Sequence, residues 1–406
     1  MGVSMQPGSS SDWPRVGLLL LCGVFAATQV GKLPPAMTAL REQFGASMVQ
    51  LGWITSIFNL TAALVGIAAG LLADQAGRRR MLKLGLLALG AGALLGAFSQ
   101  SVGLLFASRI VEGLGFVGVV VSAPALMREA AAPSRLRLTL GLWSSYMALG
   151  MTSMLLLAPL WMVALGWRGG WWAGVIGAAA LLAGVLRAFP GSGRTDATQS
   201  ALDLLRGLRV STPWLLAGCF TAYTLQWMAM MVWLPTFLQD EMGFALARAT
   251  TLVAVVIVAN APGNWLGGWL SARGIAPSVL VLVSGLVMGV TGWAAFAADV
   301  APMQRMALCV VFSFVGGVLP ASIYASLPAV AARRQNFGSV NGLMVQASNL
   351  GALLGPPLLA GLVGVSGWHG VATAYLATAA LSALLILMAA RAPELQSRTS
   401  VGAAHG

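Results

Sequence analysis

The chain has 406 residues, of which 58% are hydrophobic and only 8% charged, and it carries a formal net charge of +12. Soluble domains carry about 25% charged residues, so this composition excludes a soluble globule and requires lipid as the solvent. Repeated apolar runs of about 20 residues suit helices crossing a hydrocarbon core of roughly 30 Å, and they are too long and too continuously apolar for barrel strands.

In chain order these runs predict an all-α membrane protein with twelve transmembrane helices, at 15–40, 50–73, 81–99, 103–127, 138–163, 170–188, 213–238, 247–271, 277–298, 305–330, 340–364 and 370–390. The first run is followed by Gly31, Lys32, Leu33, Pro34 and Pro35 rather than a small-residue cleavage site, so it is expected to be a retained helix and not a signal peptide. One long polar stretch, 190–212, rich in Gly, Ser, Thr, Asp and Arg, reads as a linker between an N-terminal half, 1–189, and a C-terminal half, 213–406. Cys22, Cys219 and Cys309 fall inside apolar runs without metal-like spacing and read as small buried residues.

The net charge suggests a nucleic-acid partner until the positions of the charges are followed. With a cytoplasmic N-terminus, seventeen of the 23 Lys and Arg residues fall in cytoplasmic segments, among them Arg78, Arg79, Arg80, Arg137, Arg194, Arg206, Arg333, Arg334 and Arg398. The other side holds only Arg41, Arg168, Arg248 and Arg305. This asymmetry predicts a multi-pass protein of the cell inner membrane with both termini cytoplasmic, and accounts for the charge without nucleic acid.

Between the second and third runs the chain reads Gly70-Leu71-Leu72-Ala73-Asp74-Gln75-Ala76-Gly77-Arg78-Arg79-Arg80. An acid at a helix end, a glycine that permits a tight turn and a cluster of arginines form a charge-assisted latch, so Gly70, Asp74, Gly77, Arg78 and Arg79 are the expected gating set. The segment resembles the loop signature of the major facilitator superfamily, departing from it at Gln75, where the family usually has a basic residue. Its counterpart, Gly268 to Gly274, has Ala272 in place of the acid, which predicts an asymmetric latch. Arg109-Ile110-Val111-Glu112-Gly113-Leu114-Gly115 looks like the family's helix 4 motif, with Glu112 where Gln is common. Gly141 to Gly150 lacks the Gly-Pro-x-x-Gly-Gly pattern of drug/proton antiporters, which makes efflux the second reading. The stretches Lys32 to Pro35, Arg109 to Gly115 and Trp143 to Gly150 are similar to the cyanate-porter-like branch, which handles small anions. The resemblance implies that helices 1, 4, 7 and 10 line a central cavity while 3, 6, 9 and 12 face outward.

The halves also repeat. Leu33-Pro34 recurs as Leu234-Pro235 and Gly166-Trp167-Arg168-Gly169 as Gly367-Trp368-His369-Gly370, and Phe116-Val117-Gly118 recurs as Phe314-Val315-Gly316. Offsets this constant predict two six-helix repeats with a solute site between them near the midplane.

Lys32, Arg109 and Glu112 are the charged residues expected within the bilayer, and intramembrane charges are functional candidates because each costs about 2.5–3.5 kcal/mol on insertion scales. Arg109 and Glu112 can brace one another at i, i+3. Lys32 is left without an acid, and is expected to meet the substrate's negative charge with Trp233, at the repeat position, facing it. Tyr146, Tyr223, Gln226 and Tyr324 complete the expected substrate set. Asn260, Asn264, Gln346 and Asn349 read as interhelical hydrogen-bond partners. A membrane-embedded enzyme lacks support: His369 and His405 lie at a loop and the tail, and no paired intramembrane carboxylates or nucleotide-binding loop occur. The expected function is a secondary or facilitative transporter of a small, anionic solute by alternating access. It is expected to need no cofactor or metal and to act as a monomer in lipid, with Glu112 the leading candidate to carry a coupling proton.

Overall fold

Hydrocarbon offers no water to bond backbone N–H and C=O groups, so each apolar run must close its hydrogen bonds within a helix. A computed structural model describes residues 11–46, 48–191, 208–297, 299–331 and 336–392. Most of the expected linker, together with Arg194, Arg206, Arg333, Arg334, Arg398 and His405, lies outside them. The major helices are α1 (Trp13–Gly31), α2 (Leu33–Phe44), α3 (Met48–Ala76), α4 (Arg78–Ala97), α5 (Val102–Ala130), α6 (Leu136–Ser144), α7 (Tyr146–Leu165), α8 (Arg168–Ala188), α9 (Ser211–Asp240), α10 (Leu246–Ala272), α11 (Pro277–Ala297), α12 (Pro302–Val330) and α13 (Phe337–Ala389). No strand occurs among the described residues.

Two expected spans are each built from two helices. The first breaks at Lys32, because Pro34 and Pro35 carry no N–H to continue the ladder from α1 and instead open α2. The fifth breaks at Ser145. Conversely, the last two expected spans follow one another without a loop as the two helical arms of α13, which meet at the non-helical backbone of Gly367. Counted this way the helices make twelve crossings. Leucines, isoleucines and valines stand exposed along α4, α8 and α11, for example Leu87, Ile176 and Val290, as lipid-facing surfaces require.

The repeat is visible in the backbone. Gly166 has φ 60°, ψ −157° and Gly367 has φ 62°, ψ −167°, so the same left-handed turn joins the fifth span to the sixth and the eleventh to the twelfth. Gly77 (φ 95°) and Gly274 (φ 93°) are paired in the same way. At such angles a Cβ is strained, which is why glycine stands at both members of each pair.

At the Asp74 end the halves are locked together. The crossing of α3 and the first arm of α13 is glycine on glycine: a Cβ on Gly70 would lie 2.3 Å from the carbonyl oxygen of Gly338, and one on Gly66 would lie 2.6 Å from that of Gly342. This contact brings the start of α13 onto Asp74, whose carboxylate accepts from the N–H groups of Gly338 (3.2 Å) and Ser339 (3.0 Å). These donors are among the unpaired N–H groups of a helix N-terminus, where a negative charge is favoured. Arg78 reaches both Asp74 (3.2 Å) and Glu129 (3.0 Å). This contact is therefore not made by the arginine cluster alone: Asp74's partners on α13 are backbone donors, and Arg79 lies against the Phe189 ring, 5.7 Å from its centre, rather than on Asp74. In the related crossing of α6 and α10, Gly141 packs on Gly268 and Arg137 donates to the carbonyl of Ser271 at 2.8 Å, so a neutral acceptor replaces the missing acid.

Candidate functional site

Near mid-length of their helices the two halves leave between them a cavity of about 60 Å³, room for a few water molecules. One face of α9 supplies Phe220, Tyr223, Thr224 and Trp227, at i, i+3, i+4 and i+7. Tyr324 comes from α12 and Tyr146 from α7. Three of the chain's four tyrosines thus share one space, and among the described residues no Asp, Glu, Lys, Arg or His lines it. The rings are held in place. Asn260 donates to the Tyr223 hydroxyl (3.1 Å) and to the carbonyl of Ser313 (2.9 Å), and the Trp227 indole donates to the Ser313 hydroxyl (3.1 Å). Phe220 packs edge-on against Tyr324 with centroids 5.8 Å apart, and Tyr146 stacks on the buried Trp143 at 4.7 Å.

The three intramembrane charges meet behind the first-half wall of this cavity. Glu112 pairs with both Lys32 and Arg109, one carboxylate oxygen to each, and all three side chains are at most 1% exposed. Lys32 also donates to the side-chain oxygen of Gln29 (2.9 Å) and sits 4.6 Å from the centre of the Trp171 ring. Arg109 donates to the carbonyl of Gln29 (3.0 Å) and lies 4.6 Å from the centre of the Phe58 ring. The expectation that Lys32 lacks an acid is therefore corrected: the break at Lys32 turns its side chain into its own half, where Glu112 on α5 serves two cations. Two cations against one carboxylate leave the cluster with one excess positive charge. None of the three lines the cavity, but they are one layer away: Val30 and Asn59, which do line it, follow directly on Gln29 and Phe58, which contact the cluster.

The remaining expected residues divide. Tyr146, Tyr223 and Tyr324 line the cavity; Gln226 and Trp233 do not. Gln226 faces a separate apolar groove beside Leu359 and Tyr375, about a third of a turn around α9 from the aromatic face. Trp233 donates its indole N–H to the carbonyl of Pro356 at 2.9 Å, within the second half. Trp233 and Lys32 thus each turn into their own half, and no cation faces a tryptophan across the cavity. Asn349 lines the cavity and Asn260 fixes Tyr223, while Asn264 donates to Asn260 (2.8 Å). Asn59 and Trp227 are cavity residues that sequence reasoning missed. Trp227 was detectable from its i+4 spacing to Tyr223, and Asn59 as an amide inside an apolar run. The described residues hold no group of three His, Cys, Asp or Glu placed for a metal.

Comparison with known proteins agrees with this architecture. Residues 19–356 match the family model described as Major Facilitator Superfamily. The chain is 28% identical over 383 residues to the 3-(3-hydroxy-phenyl)propionate transporter of Escherichia coli K12, covering 87% of this chain and 88% of that protein. It is 25% identical over 402 residues to a protein of Cupriavidus necator named "Probable sulfoacetate transporter", covering 91% and 93%. The crystal structure of the human organic anion transporter MFSD10 superposes with a TM-score of 0.75 at 17% identity, over 93% of this chain and 99% of that one.

Proposed function

Because the chain belongs to the Major Facilitator Superfamily and is a multi-pass membrane transporter of a small molecule, we propose that its solute is a small organic anion, carried by alternating access of the cavity to the two faces. The observation that carries the reading is the placement of charge: an uncharged cavity backed, one side-chain layer away, by a buried cluster with one excess positive charge. A buried charge without a counter-ion is costly. An anion in the cavity offsets that cost, and water does so when the cavity is open. The named solutes of the two relatives are acids, in keeping with the small-anion branch that the motifs resemble. The Asp74 face is cytoplasmic in this reading, so the locked α3–α13 crossing is the state that loads from outside. Glu112, the one described acid far from a helix end, is the candidate carrier of a coupling proton.

The reading is tested by uptake of labelled sulfoacetate and 3-(3-hydroxyphenyl)propionate into proteoliposomes against protein-free vesicles. Saturable uptake of an acid is expected, and transport confined to neutral or cationic solutes overturns the reading. Lys32→Gln leaves the neutral Arg109–Glu112 pair and removes the excess charge. A unit charge acting through an effective dielectric of about 20 is worth on the order of 1–2 kcal/mol at this range. The variant is expected to bind the acid roughly tenfold more weakly while its affinity for the corresponding amide is unchanged. An equal loss for acid and amide would mean that Lys32 only shapes the wall.

Sidedness has its own check. Arg80 and Glu42 are exposed at opposite ends of the first half, and the three native cysteines are buried. Arg80→Cys is expected to react with an impermeant maleimide only from the cytoplasm, and Glu42→Cys only from outside. The reverse pattern inverts the topology.

A further inference from the structure

Resting on the proposed transport of a small organic anion, we infer that the solute carries one planar ring, held among Tyr146, Tyr223, Trp227 and Tyr324, with its acidic group turned toward Asn59. The first support is the composition of the cavity. A chain with only four tyrosines brings three of them to one small space and adds Trp227 and Phe220 from the same helix face as Tyr223. A puckered or branched aliphatic solute is served as well by Leu and Val, which abound here but give this wall only Val30. Fixed aromatic faces favour a flat partner, which they hold by offset or edge-on stacking.

The second support is two polar groups that face the cavity. Asn59 is 8% exposed and Tyr146 is 7% exposed. Both line the cavity, and neither the Asn59 amide nor the Tyr146 hydroxyl hydrogen-bonds to any described residue. By contrast, the amide of Asn260 is fully engaged in placing Tyr223. Both groups open on the cavity, so each is free to donate to an acceptor on a ligand that displaces the water there. They lie on the first-half side, the side of the excess charge: Asn59 adjoins Phe58, whose ring carries Arg109. The carboxylate or sulfonate therefore points to that wall and the ring to the aromatic face of the second half.

The test uses four probes of nearly equal size: benzoate, benzamide, cyclohexanecarboxylate and cyclohexanecarboxamide, titrated calorimetrically into the purified full-length protein in lipid nanodiscs. Benzoate is expected to bind about tenfold more tightly than its saturated counterpart. Tyr223→Leu and Tyr324→Leu bring that ratio toward one, while Tyr223→Phe and Tyr324→Phe, which keep the rings, preserve it. Asn59→Leu weakens benzoate about tenfold without changing the planar-to-saturated ratio of the two amides. Equal affinity for the planar and saturated acids, an unchanged ratio in both leucine variants, or binding of none of the four probes overturns the inference. Amides that bind as tightly as the acids, with the planar preference intact, overturn the anion reading and leave the ring assignment standing.

Discussion

Glu112→Gln is expected to destabilise the protein more than any other single substitution in the first half. The change is almost isosteric, so no cavity is created. What is lost is the one carboxylate that neutralises two buried cations, Lys32 and Arg109, each at most 1% exposed. Removing one partner of a buried ion pair costs about 3–5 kcal/mol because the other charge is left uncompensated. Here two charges are left, against a total stability on the order of 5–15 kcal/mol for an ordinary domain. Lys32→Gln alone is expected to cost far less, since the remaining pair is neutral. The triple variant Lys32→Gln, Arg109→Gln, Glu112→Gln, which buries no charge, is expected to recover much of what Glu112→Gln loses. Thermal unfolding in one detergent ranks the three. A Glu112→Gln protein as stable as the parent would show that water or lipid headgroups reach the cluster, contrary to its burial.

Asp74→Asn is expected to leave insertion and overall stability nearly unchanged while shifting the balance between the two conformations. Asp74 holds the start of α13 through two backbone donors and holds Arg78 through an ion pair. Asparagine keeps one acceptor oxygen but turns an N–H₂ group toward a donor, and it gives up the charge that the helix N-terminus favours. Hydrogen bonds to a charged group are worth about 1.5–3 kcal/mol each, so loss of one moves the equilibrium by roughly ten- to a hundredfold toward release of this face. Gly70→Val reaches the same end without altering charge, because its Cβ alone would lie 2.3 Å from the Gly338 carbonyl oxygen. Both effects are read as faster labelling from the Asp74 face of a cysteine placed at the cavity position Ser144. Unchanged labelling in both variants would sink the latch.

The sequence by itself determined the solvent and the helices, since each follows from short-range physics. Twenty apolar residues in hydrocarbon have only the helix in which to satisfy their backbone, and a glycine required at φ near 60° is required again in the repeat, at Gly166 and at Gly367. The Asp74 motif was legible for the same reason, being one continuous stretch around a turn. The partners were not, because which side chains meet depends on rotation about each helix axis, and neighbouring positions differ by about 100°. That rotation is set by glycine contacts between elements distant in the chain, such as Gly70 on Gly338 and Gly141 on Gly268. Only the tertiary structure could decide that Lys32 turns to Glu112, eighty residues away, instead of into the cavity. It also placed Trp233 against Pro356 and Gln226 on an outer groove, while Asn59 and Trp227 came to the cavity wall. A residue's chemistry was readable from its letter, but its neighbours are a property of packing, which no single helix contains.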